Sequence, residues 1–232
     1  MKSREVISEL RSRAKAADLP GMARFGITTD RALGGSSIPY LRWLAKRLGR
    51  DHALAAELWA SGIHEARILA GLVDEPGRVT NEQMETWAAE FDSWDVVDGV
   101  CGNLFDKTPL ASAKATEWSS RGEEFVKRAG FVLMAMLAVH DKEAPDSMFE
   151  AWLPVIEREA GDPRNFVRKA VNWALRQIGK RNQPLNAKAI AAAERIQANG
   201  VRSARWVATD ALRELRSEPV QARLGARVRT GG

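Results

Sequence analysis

Apolar residues recur with the period of an α-helix, about 3.6 residues, along almost the whole chain. The strict alternation of apolar and polar residues that marks a half-buried strand is absent, so the pattern predicts helices alone. Thr80 with Gln83 resembles a capping box, and only residues 34–37, Gly-Gly-Ser-Ser, look like a flexible loop. The predicted helices cover residues 3–17, 38–49, 51–61, 63–74, 80–91, 94–104, 108–119, 122–140, 146–159, 164–181, 184–198 and 200–216.

Some of these helices resemble one another. The run FVKRA at residues 125–129 returns as FVRKA at residues 166–170, and ALR at residues 174–176 returns at residues 211–213. The offsets of 41 and 37 residues lie in the range of paired-helix repeats of the HEAT or armadillo kind. Such repeats stack their apolar faces into one core and leave a concave surface for binding. The sequence therefore predicts an all-α solenoid of HEAT-like repeats, one domain over residues 1–216.

Charge is distributed unevenly along the chain. The formal net charge is +5, yet residues 164–232 hold 15 Lys and Arg against 4 Asp and Glu, so the preceding part is acidic overall. A basic third suggests a polyanionic partner, nucleic acid before membrane. The alternative is a solvated, Arg-rich helical face. Within this third, residues 217–232 are predicted to form a flexible basic tail.

The remaining composition excludes several classes of protein. Cys101 is the only cysteine, so an intramolecular disulfide and a Cys-rich zinc site are excluded. His64 has no second histidine at metal-site spacing, so no metal is expected, and Arg67 is predicted to pair with an acid. There is no apolar run of 18 residues and no signal-peptide pattern. We therefore expect a soluble cytoplasmic protein without a membrane partner.

The predicted helix over residues 164–181 carries two faces. One face is apolar, and the other carries Lys169, Trp173, Arg176 and Lys180 at spacings of four, three and four. A tryptophan within a basic stripe is typical of nucleic-acid contacts, in which cations meet phosphates and rings meet sugars or bases. The last predicted helix repeats the pattern more weakly. Its members are Arg202, Trp206, Thr209 and Arg213.

Two further helices carry residues whose type does not fit a plain core. Trp94 and Asp98 lie one turn apart at the edge of an apolar face, with Asp95 beside the ring. This pair either packs in the core or lines a site.

Arg128 lies in a helix that is apolar nearly all round, where a guanidinium is costly unless it is paired. Its partner is expected to be Glu124, an acid of a neighbouring repeat such as Asp98, or a phosphate. The other tryptophans are assigned to packing, namely Trp43, Trp59, Trp87, Trp118 and Trp152.

Five stretches follow one another along most of the chain, namely IPYLRWLAKRLG, HALAAELWASGIHEARILA, SWDVVDG, FVKRAGFVLMA and FVRKAVNWALRQIGKRN. Together they resemble the bacterial alkylpurine DNA glycosylases with HEAT-like repeats, the AlkD family. The resemblance implies a right-handed α-solenoid with a concave basic DNA-binding face and no metal or other cofactor. It also implies excision of cationic alkylated purines, such as 3-methyladenine and 7-methylguanine, from duplex DNA. The family's functional residues fall on Trp94, Asp98, Arg128 and Trp173.

The resemblance suggests a role for each of these residues. Asp98 would stabilise the oxocarbenium-like sugar and orient water, while Trp94 and Trp173 would face the cationic sugar or base. Arg128 would hold a backbone phosphate near the lesion. The residues expected to bind DNA around this centre are Lys127, Lys169, Arg176, Lys180, Arg202, Trp206 and Arg213.

Two other functions compete with the glycosylase. A non-catalytic relative would bind distorted or branched DNA without excision, and a HEAT-type scaffold would bind protein along its concave face. Lyase chemistry through Lys127 is conceivable, but hydrolysis is the favoured reaction. A monomer that associates with the nucleoid when it is bound to DNA is expected.

Overall fold

α-Helices form at every segment where apolar periodicity predicts one. The computed structural model describes residues 2–198 and 200–230, and within them it contains no β-strand. Among the residues described, no helix combines the length and apolar character needed to cross a bilayer. The helices are α1 (Ser3–Ser12), α2 (Leu19–Arg24), α3 (Ile38–Leu48), α4 (His52–Ala60), α5 (His64–Val73), α6 (Asn81–Ala89), α7 (Trp94–Asn103), α8 (Ala111–Trp118), α9 (Glu124–His140), α10 (Asp146–Glu159), α11 (Asn165–Gly179), α12 (Gln183–Ala198), α13 (Arg202–Leu215) and α14 (Glu218–Thr230).

The chain forms two compact units, Met1–Leu110 and Ala111–Gly232. In the first unit, α5 packs between α3 and α7, and α4 packs on α5. In the second unit, α11 packs between α9 and α13, while α8 packs on α9 and α12 packs on both α11 and α13. Both units therefore show the neighbour-to-neighbour packing of paired-helix repeats. The extent of a single repeat domain over residues 1–216 stays a prediction.

The repeated motif marks equivalent packing positions in the second unit. Phe125 of α9 and Phe166 of α11 lie with their ring centroids 5.6 Å apart. The predicted apolar face of α11 is fully buried. It consists of Val167, Ala170, Val171, Ala174, Leu175 and Ile178. The periodicity that identified the helix therefore also identified the face it turns to the core.

Four of the five tryptophans assigned to packing do lie in the core. Trp59 and Trp87 stack with centroids 4.1 Å apart, Trp118 is fully buried, and Trp152 is 3% exposed. The indole N–H of Trp152 donates to the Thr116 hydroxyl at 3.0 Å. The assignment is wrong for Trp43, which is 52% exposed.

The glycine loop predicted to be flexible is instead anchored. The N–H of Gly34 donates to Glu65 Oε1 at 2.8 Å, and that of Gly35 donates to Asp18 Oδ2 at 3.2 Å. Both glycines have positive φ, 71° and 75°. A Cβ on Gly35 would lie 1.9 Å from the carbonyl oxygen of Arg13. Only glycine fits, because the loop passes directly against the chain that follows α1.

The N-terminal segment departs from prediction in two further ways. α1 ends at Ser12 instead of near residue 17, since the chain then turns so that the Lys15 N–H donates to the Leu33 carbonyl at 3.1 Å. α2 was not predicted because it is short and has no buried residue to give it an apolar period. Thr80 does cap α6, accepting from the Gln83 N–H at 3.1 Å. The Gln83 side chain donates to Asp74, so the capping box is only half formed.

The segment predicted to be a flexible tail contains α14. Leu224 is 1% exposed and Val220 is 8% exposed. The Gln221 amide donates to Asn186 Oδ1 at 3.0 Å and to the Leu215 carbonyl at 2.6 Å. These contacts fix the first turns of α14 against α12 and α13. The last predicted tail residues, 231 and 232, lie outside the described part of the chain.

Candidate active site and nucleic-acid interface

α7 presents one buried face and one partly open face. Its valines at positions 96, 97 and 100, together with Cys101, are fully buried, so Cys101 is a core residue. Trp94 and Asp98 are partly exposed, one turn apart. The indole N–H of Trp94 donates to the backbone carbonyl of Phe25 at 3.0 Å. The pair therefore lies where an indole and a carboxylate can meet a ligand.

The neighbouring acid, Asp95, is engaged inside the protein. Its Oδ2 lies 2.9 Å from Nε2 of the buried His64, and its Oδ1 accepts from the Ser93 hydroxyl. Burial raises the pKa of the Asp95 carboxyl, but the hydrogen bonds from His64 and Ser93 lower it on balance. Burial lowers the pKa of His64, but its hydrogen bond with Asp95 raises it on balance. Asp95 thus fixes the start of α7 to α5.

The segment between α1 and α3 borders this site, and sequence reasoning missed it. Phe25 follows α2 and is 76% exposed, the largest value among the exposed large apolar side chains described. The Thr29 hydroxyl donates to Asp92 Oδ2 at 2.9 Å, just before α7. The available signal was Phe25 itself, one aromatic residue in a segment of mixed polarity, which no periodic pattern could place.

Arg128 is buried, as the apolar character of α9 predicts, and is 5% exposed. Its Nη1 donates to the backbone carbonyl of Phe166 at 2.7 Å, so one of its partners is a peptide group of α11. Such a carbonyl was not among the expected partners, because a sequence does not indicate which peptide groups face a neighbouring helix. Two residues on, a Cβ on Gly130 would lie 2.4 Å from the Ser119 nitrogen, so glycine permits the close packing of α9 against the end of α8.

Lys127 is held in an ion pair rather than presented on an open face. Its ammonium lies 2.5 Å from Glu159 Oε2 and 3.3 Å from Asp162 Oδ2, and its side chain is 11% exposed. Burial raises the pKa of Asp162, but hydrogen bonds from Arg164 and Lys127 bring it to about 2. Lys127, which was expected to contact DNA, is therefore paired with acids at the end of α10 and in the turn before α11.

The predicted basic stripe of α11 is partly neutralised by α13. Lys169 is exposed and Trp173 is partly exposed. Arg176 lies 2.5 Å from Glu214 Oε2, and Lys180 lies 2.5 Å from Glu214 Oε1. Burial raises the pKa of Glu214, but the hydrogen bond from Lys180 and the nearby cations lower it on balance. Glu214 thus links two of the expected DNA-binding cations.

α13 adds a second mixed face beside α11. Trp206 is 38% exposed, and the Arg168 guanidinium lies 4.6 Å from its ring centroid. Arg202 is exposed, whereas Arg213 is paired with Asp210. Arg168 was not among the expected DNA-binding residues, although it belongs to the repeated FVRKA run. The structure therefore brings Trp206 together with a cation of α11.

The sequence matches one known protein family over most of its length. Residues 6–215 match the family described as DNA alkylation repair enzyme. The chain belongs to this family. The matched range includes α7, α9 and α11, which carry the four residues aligned by resemblance with the functional residues of the AlkD family. Membership therefore covers both compact units.

Two individual proteins resemble the chain. An uncharacterized protein of Listeria innocua is 26% identical over 152 residues, 65% of this chain and 66% of that protein. The chain thus matches slightly under two thirds of that relative. A solved structure superimposes with a TM-score of 0.74 at 20% identity, over 84% of this chain and 83% of its own. It represents a new family of proteins related to the HEAT-like repeat DNA glycosylases with affinity for branched DNA structures. The likeness identifies the fold as HEAT-like helical repeats.

Proposed function

We propose that this member of the DNA alkylation repair enzyme family is a glycosylase that removes cationic alkylated purines from duplex DNA. Its substrates are 3-methyladenine and 7-methylguanine, and its product enters base excision repair. The observation that carries the proposal is the Trp94–Asp98 pair on the partly open face of α7. Asp95, the other acid of that helix, is committed to His64 and Ser93.

The reaction divides between the substrate and the side chains. A purine alkylated at N3 or N7 is already cationic, so it leaves with the glycosidic electron pair as a neutral base and needs no general acid. The sugar left behind resembles an oxocarbenium ion. Asp98 stabilises this cation and orients the water that adds to C1′ and gives up a proton. The indoles of Trp94 and Trp173 favour the cationic sugar or base, by about 0.5–2 kcal/mol each.

The site of Lys127 favours hydrolysis over lyase chemistry. A lysine that forms a Schiff base needs an uncharged amine, and burial without a partner is the usual way to supply one. Lys127 instead has acidic partners, since its Nζ lies 2.5 Å from Glu159 Oε2 and 3.3 Å from Asp162 Oδ2. A monofunctional enzyme is therefore the proposal that fits the local electrostatics.

The charge of the lesion provides the test. We expect release of 7-methylguanine from a duplex carrying one such base, and no release of uracil or hypoxanthine, which are neutral and need acid assistance to leave. Release is measured by alkaline cleavage of the labelled strand at the abasic site. Equal release of neutral and cationic lesions, or no release of any base, would contradict the proposal.

A second candidate function is binding of branched DNA without excision. It is favoured by the solved relative, whose family is described as having affinity for branched DNA structures. It predicts tighter binding to a four-way junction than to a linear duplex of equal length, with no base release. The presence of Asp98 argues against it, because a carboxylate on a purely binding face repels phosphates.

A further inference from the structure

We propose that the solvent face of α3 is a separate binding surface for unpaired, single-stranded DNA. The face is defined by Arg42, Trp43, Lys46, Arg47 and Arg50, all of which are exposed. The opposite side of α3 buries Leu41 and Leu44 in the first unit. At about 100° per residue, Arg42, Trp43, Lys46 and Arg47 occupy one continuous sector of α3, and Arg50 follows the C-terminal end of the helix.

The indole of Trp43 is positioned by contacts with two neighbouring side chains. Its centroid lies 5.6 Å from that of Tyr40, and the Arg47 guanidinium lies 4.7 Å from it. Glu9 of α1 fixes both neighbours, since it accepts from the Tyr40 hydroxyl and from Arg47, each at 2.5 Å. Despite these contacts Trp43 remains 52% exposed. The ring is therefore available and costs little entropy to order on binding.

The surrounding charge is positive, although this part of the chain is acidic overall. α3 itself contains no acidic residue, and the described structure gives Arg42 and Lys46 no ion pair. Arg50 donates to the backbone carbonyl of Asp74, and this neutral acceptor does not cancel the charge of the guanidinium. Cations around a half-exposed indole match a phosphate chain whose bases can reach the ring.

This face is distinct from the candidate active site. α3 and α7 each pack on α5, nearly every residue of which is buried. Trp94 and Asp98 of the proposed active site belong to α7, which contributes no residue to the α3 face. The proposal thus goes beyond excision and assigns α3 a contact with DNA of its own.

An unpaired strand fits the face better than a duplex does. Stacking on an indole needs a base whose ring is accessible, and in a duplex each base is already stacked between its neighbours. On the α3 face the half-exposed indole of Trp43 offers such a stacking surface, and Arg42 and Lys46 beside it can contact the phosphates of the same strand. The α3 face therefore matches sequence-tolerant binding of single strands.

Fluorescence anisotropy with a labelled oligothymidylate provides the test. We expect Trp43→Ala to weaken binding about 5- to 100-fold and Trp43→Phe to retain most of it, because stacking is lost only in the first. Arg42→Gln with Lys46→Gln should lower the slope of log K against log salt by about 1.4, or about 0.7 for each phosphate contact. Excision of 7-methylguanine from a duplex should change by less than twofold in these variants, as they lie outside the proposed active site.

The control for net charge carries Lys188→Gln and Arg195→Gln, two exposed cations of α12 that pair with Glu150 and Glu157. Their loss changes the net charge as much as that of Arg42 and Lys46. The proposal is overturned if oligothymidylate binding is unaffected by Trp43→Ala, or if the control weakens binding as much as the α3 double variant. It is also overturned if Trp43→Ala weakens only binding to vesicles of anionic phospholipid, which would make the face a membrane contact. Thermal unfolding of each variant establishes that the fold is retained.

Discussion

At the scale of single residues, the two acids of α7 show which contacts a sequence can and cannot predict. Asp95 is joined to the buried His64 and to Ser93, and its pKa is lowered on balance. Asp98, one turn on from Trp94, stays partly exposed. The sequence placed Asp98 correctly at the edge of the helix. It could not reveal the His64–Asp95 contact, which joins residues 31 positions apart on two helices.

Replacement of His64 by Gln should reveal this contact as a pH-dependent stability. The pKa of His64 is raised above its ordinary 6.5, so the pair contributes stability that is full below pH 6.5 and is lost as the pH rises through the raised value. The lowered pKa of Asp95 keeps the carboxylate charged until the pH falls below its ordinary 3.8. We expect His64→Gln to lower the free energy of unfolding by about 1–3 kcal/mol between these limits and by less at alkaline pH.

Urea unfolding across this pH range measures the effect. The control is His140→Gln, the same change at an exposed position. Parallel pH profiles for the native protein and His64→Gln would show that the pair makes no titrating contribution.

At the scale of helices, periodicity succeeded where a helix has a buried face and failed where order depends on distant contacts. α11 shows the success, since all of its predicted apolar positions are buried. The Gly34–Ser37 loop shows the failure, because it is ordered by Glu65, about thirty positions away. The acids that pair with Lys127, Arg176 and Lys180 likewise belong to neighbouring segments. Helix by helix, the sequence therefore overstated how much positive charge is unopposed.

Glu214→Gln should strengthen binding to duplex DNA. The carboxylate of Glu214 links Arg176 and Lys180, and its loss would leave two cations of α11 without that acid. We expect binding to tighten several-fold and to become more salt-dependent, at a cost of about 1 kcal/mol in stability. Titration of a labelled duplex at several salt concentrations measures both quantities.

Glu194→Gln is the matched control for Glu214→Gln. It also removes one acid, but that acid pairs with Arg216 and not with a cation of α11. If both variants tighten binding to the same degree, net charge alone accounts for the effect and the α11–α13 link does not.

Leu224→Ala tests whether α14 belongs to the folded second unit. Leu224 is 1% exposed, so its truncation should cost about 2–5 kcal/mol, as for other buried leucines. A flexible tail, as predicted from the basic composition, would give a change below about 0.5 kcal/mol. Denaturant unfolding of the full chain distinguishes the two outcomes.

At the scale of the whole molecule, family membership and fold agree, and the charge distribution supports the proposed contact with DNA. The matched family range, residues 6–215, covers helices of both units, and the solved relative shares the HEAT-like repeat fold. The sequence identified this architecture because repeats and helical periodicity are local signals. The proposed catalytic roles rest on residue types that lie on separate helices. A measurement of base release tests them.

The central claim is that Asp98, and not Asp95, serves the sugar cation. Single-turnover release of 7-methylguanine from a duplex should fall at least about tenfold in Asp98→Asn, while its unfolding free energy stays near that of the native protein. Asp95→Asn should instead lower stability and leave the rate of the folded fraction within a few-fold. Full activity in Asp98→Asn, or a greater loss of rate in Asp95→Asn, would contradict this account.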